Sequence, residues 1–410
     1  MKKIITLLSF AAISSAALAQ TARIHCGAFT YTAPVSEVSR ITTSADGTAV
    51  TFDTNSFSAA EIDSVTFDYR TYDAHTIYVN YSATQVDVTM PLALREQFTS
   101  SADGAHVYLE VDPAYQEELT YYLSGTSQDG SFTMEGDYKS TVILDNVSLT
   151  SNKGAAFDIQ NGKRIKIHMI EGSVNNFSDA KGGTHDACFF VNGHPELSGN
   201  GTLNITGNTK HAYASDEYSH FEASFGRLNV LGAVGDGMHV EQYLKTQGGT
   251  YNIKGTGGDG IDVSITKDPL DEYNGQALIE GGHFTLDVAA EDVKGLKCDS
   301  AMTISAGTIE ATVSGNGSKG ISSGTDLLIA QKTGVPTKVK MVVTGTTYMP
   351  GDAELEAKCR GIKVKGDFTF DGGVIDIVAT GVKSKEISIT KVVVSTATLI
   401  QQTNKIQQGL

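Results

Sequence analysis

Five stretches decide how this chain is read: Gly201-Thr202-Leu203-Asn204-Ile205, Gly226-Arg227-Leu228-Asn229-Val230, Gly249-Thr250-Tyr251-Asn252-Ile253, Gly282-His283-Phe284-Thr285-Leu286 and Gly307-Thr308-Ile309-Glu310-Ala311. Each opens on glycine and then alternates apolar with polar residues, the pattern of a short half-buried strand. A second mark follows each of them at a near-constant offset: Ala212, Gly237, Gly260, Gly295 and Gly320. The return from a second mark to the next leading glycine is equally long from Gly237 to Gly249, from Gly295 to Gly307 and from Gly361 to Gly373. A full period, as from Gly237 to Gly260 or from Gly295 to Gly320, is therefore about two dozen residues. It holds three alternating pieces, for example Gly295 to Cys298, Ala301 to Ser305 and Gly307 to Ala311.

A period of this length with three strands predicts an all-β chain, a right-handed parallel β-helix with glycine at the corners. Leucine-rich and propeller repeats have neighbouring periods, but their signatures are absent. Residues 121–385 carry the repeat, although its earlier coils are less regular. Residues 20–120 show strands such as Ala49 to Asp53 and Val107 to Val111 without the glycine period, and they predict a small N-terminal β unit covering the first coil. The tail 386–410 loses the glycine marks.

Residues 1–19 read as a signal peptide: Lys2 and Lys3, an apolar run, then Ala17-Leu18-Ala19 as the cleavage motif. The expectation is a protein that is secreted, periplasmic or at the cell surface, with no transmembrane span. The 410 residues include 43 Gly, 7 Pro and no Trp, with a formal net charge of -16 that becomes -18 when Lys2 and Lys3 leave. So acidic a chain lacks the basic footprint of a nucleic-acid binder. Cys26, Cys188, Cys298 and Cys359 lie far apart and show no zinc spacing; the last three are expected as buried apolar residues.

Chemistry is sought first in the acidic residues of the repeated turn. Asp236 and Asp259 occupy the same place one period apart, and Asp262 lies just past Gly260 on the following strand. Stacked carboxylates repel unless a cation lies between them, and hard oxygen donors suit Ca2+. Asp236, Asp259, Asp262, Asp292 and Asp299 are the candidate calcium ligands. Asp-Gly is also ordinary turn chemistry.

Lys294 and Lys297, with Tyr243 and Tyr273, are the candidate carbohydrate-binding residues, because a pyranose face stacks on an aromatic ring and no Trp is present. The histidines show no local metal spacing and read as surface residues. Two insertions interrupt the period, around Thr266 to Asn274 and around Thr346 to Glu356. A pectin hydrolase is excluded by the absence of adjacent aspartates and of Gly-His-Gly, so no catalytic residue is assigned. A calcium-dependent lyase using Lys294, Lys297 or Arg360 as base is the enzymatic alternative.

The run Ser124 to Phe132, with Gly154 to Ile159, Gly201 to Asn208, Val234 to His239, Gly258 to Asp262 and Lys294 to Ser300, resembles a family of bacterial exported carbohydrate-binding proteins. Its clostridial members bind cellulose and acidic sugars. The N-terminal region resembles that of gut Bacteroidetes members. The resemblance implies a pectate-lyase-like β-helix that holds Ca2+ and binds polygalacturonate-type polymers such as pectin without established cleavage. The chain is expected to be a monomer. A structural or adhesive surface protein is the other alternative.

Overall fold

The computed structural model describes residues 20–394 apart from 39, 350 and 352–354. The expected leader and most of the tail lie outside the described residues. Many of the described strands show in their burial the alternation visible in the sequence. Along Thr337–Val343, for instance, Thr337, Val339, Met341 and Val343 are buried and the residues between them exposed. Two faces of such a strand meet different solvents, so the apolar face must close over a core.

Closure comes from parallel pairing at the period of the repeat. Thr202–Gly207 pairs with Arg227–Ala233, that strand with Tyr243–Ile253, then Gln276–Val288 and Gly307–Val313. In register, Leu203, Leu228, Tyr251, Phe284 and Ile309 follow one another inward. A second parallel series runs through Met238–Glu241, Ile261–Ser264, Lys294–Cys298, Lys319–Ser323, Arg360–Val364 and Lys385–Ser388. A third includes Met302–Ile304, Leu327–Ala330 and Asp367–Asp371.

The expectation of an open right-handed β-helix is corrected here. The strands close around one shared core as a barrel-like enclosure with further strands outside it. Thirty-two of the described strands belong to one hydrogen-bonded sheet, and Ile41–Thr43, Ala49–Phe52 and Asn55–Ser58 form a separate antiparallel sheet of 3.

The physical reason lies at the corners. Ser140–Thr150, Phe157–Met169, Ala187–Ser198, Tyr243–Ile253 and Gln276–Val288 do not break into discrete pieces but bend, each pairing with strands of two series. Register shifts at Ser124/Gly125, Gln160/Arg164 and Thr246/Gln247 supply the bend, as bulges do. The N-terminal strands pair with the first strands of the repeat. Thr21–Cys26 and Phe29–Pro34 join Val86–Pro91 and Thr76–Tyr81, and Thr76–Tyr81 pairs in parallel with Leu119–Ser127.

The second-mark glycines are not positive-φ corners either. A Cβ on Gly237 would lie 2.6 Å from the Gly260 carbonyl oxygen, on Gly260 2.5 Å from that of Gly295, on Gly295 2.7 Å from that of Gly320, and on Gly320 2.8 Å from that of Gly361. These glycines form a row because the backbone of the next level occupies the space a side chain would need.

Inside, aromatic rings stack across levels. Phe157 lies on Phe189 at 4.0 Å and Tyr251 on Phe284 at 4.3 Å, both nearly parallel. Burying each such ring contributes about 1.5–3 kcal/mol. On the outside, Asn204 donates its side-chain amide to Asn176, Asn229 to Asn204 and Asn252 to Asn229, at 2.7–2.8 Å. Cys188, Cys298 and Cys359 are buried with free thiols, as expected. No helix of the described residues is long and apolar enough to cross a membrane.

The insertions leave the body between levels. Successive second-mark glycines keep the plain period from Gly237 to Gly260 and from Gly295 to Gly320, whereas the intervals from Gly260 to Gly295 and from Gly320 to Gly361 are much longer. The first excess forms a loop over 265–275, pinned by Asn274 Oδ1 on the Thr266 amide at 2.8 Å. The second forms a loop holding the Tyr348–Ala357 bridge; Asp352 and Glu354 within it lie outside the described residues.

Candidate functional site

One outer face concentrates the polar chemistry. Two rows of side chains run along the second strand series. His239, Asp262, Lys297, Ser322, Lys363 and Ser388 make one row in register. Beside it, Lys294, Lys319, Arg360 and Lys385 make another. The face is thus acidic and imidazole-bearing at one end and cationic at the other.

At the acidic end, Asp236 Oδ2 lies 3.2 Å from His211 Nδ1 and 3.1 Å from His239 Nδ1. His239 Nδ1 also lies 3.4 Å from Asp262 Oδ2. Hydrogen bonds to the Asp236 and Asp262 carboxylates raise the His239 pKa to about 9. Burial pushes the Asp236 carboxyl up, but the bonds from His211 and His239 prevail and hold it well below the usual range.

Asp236 Oδ1 accepts the Asp259 amide at 2.7 Å, and Asp259 Oδ1 accepts the Lys294 amide at 2.7 Å. Asp259 is raised to about 6, chiefly by burial, against the opposing charge of Lys294. Lys297 Nζ lies 2.7 Å from Asp262 and 3.2 Å from Asp299.

The structure therefore brings Asp236, Asp259 and Asp262 together, with Lys294 and Lys297 between them and Asp299 at the margin. Asp292 is on the other side of Lys294. Its carboxylate lies 2.7 Å from Lys319 Nζ and its carbonyl accepts Lys294 Nζ at 2.8 Å. All five carboxylates already meet a protein partner.

The cationic end opens into a cleft of about 900 Å³ lined by Lys294, Lys319, Lys358, Arg360, Lys363 and Lys383 against Asp292 and Glu356. Lys383 pairs with Glu356 at 2.9 Å. Burial, joined by the charge of Lys319, lowers the Lys363 pKa, and burial lowers that of Arg360.

Tyr243 and Tyr273 meet in an edge contact at 5.5 Å, as part of a longer row. Tyr243 stacks on Tyr218 at 4.8 Å, and Tyr218 on His194 at 4.8 Å. The row ends at Tyr273, one level before the cationic row begins at Lys294. Tyr243, Tyr218 and His194 are half-buried and Tyr273 is exposed, so ring surface faces solvent.

Several residues of this face escape a local reading: His211 and His239, and the cations Lys319, Lys358, Lys363 and Lys383. The period could have found the first of them. His211 precedes Asp236, and Tyr218 precedes Tyr243, by the same interval of one level. The search for His-x-x-His spacing looks along the strand, whereas ligand neighbours in stacked strands lie across it.

The enclosure of parallel strands carries rows of polar and aromatic side chains that run across its levels. Residues 114–350, more than half of the chain, match the family of carbohydrate-binding domain-containing proteins, and the chain belongs to that family. A carbohydrate-binding domain-containing protein of Acetivibrio thermocellus is 26% identical over 98 residues, 22% of this chain and 34% of the relative. The match therefore spans about a third of that relative's length. Among solved structures, a gadolinium derivative of the polysaccharide lyase-like protein from C. thermocellum superposes with a TM-score of 0.51 at 18% identity, over 64% of this chain and 99% of that one. This is a likeness of fold.

Proposed function

We propose that the protein binds an acidic, polygalacturonate-like polysaccharide, and that the uronate carboxylates lie against the cationic row of Lys294, Lys319, Arg360 and Lys385 without being cleaved. The observation that carries this reading is the register itself. Four cationic side chains follow one another at the spacing of parallel strands, about 4.8 Å, on a chain whose formal charge is -16. Like charges in register oppose one another. A polyanion laid along the row removes that opposition. Sugar faces would meet the neighbouring Tyr218, Tyr243 and Tyr273. With a leader at 1–19, the polymer is met outside the cytoplasm.

Direct contact replaces calcium bridging in this proposal, because lysine ammonium groups already answer Asp262, Asp299 and Asp292 as counter-ions. Calorimetric titration with polygalacturonate, and with a neutral glucan as control, tests it. Selective binding that survives EDTA and weakens about tenfold in Arg360→Gln with Lys385→Gln is expected. Binding abolished by EDTA would restore the calcium bridge, and a double variant that binds as wild type would overturn the site. Steady growth of ultraviolet absorbance from unsaturated products would instead show the lyase.

A further inference from the structure

We infer that His211, Asp236 and His239 form a site for a divalent transition metal of the zinc and cobalt type, separate from the cationic cleft. One ligand atom from each, His211 Nδ1, an Asp236 carboxylate oxygen and His239 Nδ1, lies within 4.8 Å of the others. Metal bonds of about 2.0–2.2 Å at tetrahedral angles place ligand atoms about 3.3 Å apart. The two measured edges, Asp236 Oδ2 to His211 Nδ1 at 3.2 Å and to His239 Nδ1 at 3.1 Å, already match that separation.

His211 Nδ1 meets both the Asp236 backbone amide, at 3.0 Å, and the Asp236 carboxylate, at 3.2 Å. A metal ion would take the one lone pair of that ring nitrogen in place of these contacts. Stacking of the His211 and His239 rings at 4.5 Å and 16° turns both Nδ1 atoms to the same carboxylate. His211 is buried and the other two half-buried, so the imidazoles are held by the strands that carry them.

Asp262 stands beside His239, its Oδ2 3.4 Å from His239 Nδ1 while its Oδ1 is held by Lys297 at 2.7 Å. It provides a fourth oxygen or leaves the position to water. Two imidazoles with carboxylate select borderline metals over calcium, which wants six to eight oxygens.

The test is titration of the full chain with Co2+, read by its visible d–d absorption, and with Zn2+, read by calorimetry. One ion per chain is expected, with an intense tetrahedral or five-coordinate cobalt spectrum that Zn2+ bleaches and excess Ca2+ leaves unchanged. His239→Gln and Asp236→Asn should each weaken Zn2+ binding at least about tenfold, since even the groups that merely orient a ligand are worth that much. Thermal melts of both variants separate loss of the site from loss of the fold. A weak octahedral cobalt spectrum in the wild type, displacement by Ca2+, or undiminished Zn2+ binding in folded variants would each overturn the site.

Discussion

Lys319 and Arg360 stand in register on adjacent parallel strands, with only 6% and 8% of their surfaces reaching solvent. Salt screens such buried charges little, and Asp292 already answers Lys319 at 2.7 Å. The salt dependence of glycan binding should therefore come from the exposed Lys385 at the end of the same row. Raising NaCl from about 0.05 M to about 0.5 M, a range over which the screening length shrinks more than threefold, is expected to weaken polygalacturonate binding. Calorimetry at both salts checks this; Lys385→Met should flatten the dependence and Lys319→Met should leave its slope unchanged.

The stacked pair Tyr251 and Phe284 anchors the core. Both are wholly buried, and the rings lie 4.3 Å apart at 7°. Phe284→Ala removes a ring from a close-packed interior and should cost about 3–5 kcal/mol in a denaturant titration. Phe284→Leu, which keeps most of the volume, should cost less than half as much.

Glycine at the second mark is required by neighbouring backbone. Gly260→Ala places a Cβ 2.5 Å from the Gly295 carbonyl oxygen and should destabilise by about 2 kcal/mol or more. Gly154, where a Cβ meets nothing within 4 Å, is the control; Gly154→Ala should change stability by less than about 0.5 kcal/mol. Thermal denaturation of the two variants side by side makes the comparison.

Tyr243 distinguishes ring from hydroxyl. Burial, followed by the neighbouring Tyr218, raises its phenol to about 12, so it is neutral at any ordinary pH. If sugar faces stack on this row, Tyr243→Phe should retain glycan affinity and Tyr243→Ala should lose about three- to tenfold, for a ring contact of about 0.5–1.5 kcal/mol. Affinity electrophoresis in glycan-containing gels reads both.

Asp158 carries a pH signature. Burial, partly opposed by a hydrogen bond from Gln160 at 2.9 Å, raises its carboxyl above the usual range. The folded chain then holds this proton more tightly than the unfolded chain. Its contribution to stability is complete below the ordinary carboxylate pKa of about 3.9 and is lost as pH rises through the folded value. Asp158→Asn should melt higher than wild type at neutral pH, and the difference should vanish near pH 4, about the unfolded pKa. A series of melting curves between those limits checks the sign.

Much of the pairing was legible in the sequence because the same residues mark every level. Thr202, Arg227, Thr250, His283 and Thr308, each following a leading glycine, do lie side by side. The closure was not legible. Strands such as Gln276–Val288 run through a corner on a bulge, and the Gly281-Gly282 pair there reads in sequence as a break. The N-terminal hairpins carry no period, so nothing in their residues announces that Thr76–Tyr81 continues the sheet.

At the site, the period set Asp236 beside Asp259, and it placed Lys294 and Lys297 nearby. It missed that each carboxylate is answered by a protein group, since Lys297 reaches Asp262 across the gap in the chain that the 265–275 insertion opens.

That insertion has a bearing on how such a chain can change. Levels joined by the plain period, as from Gly237 to Gly260, pair no better than those with an insertion between them, because the surplus leaves at a corner and the strand residues keep their partners. Leu270, at the tip of the first surplus, is 90% exposed. Length is thus negotiable at the corners and fixed along the strands. A foreign peptide spliced in at Leu270 would re-equip the surface beside Tyr273 while every level above and below keeps its place, so specificity in this architecture can be rewritten by editing loops alone.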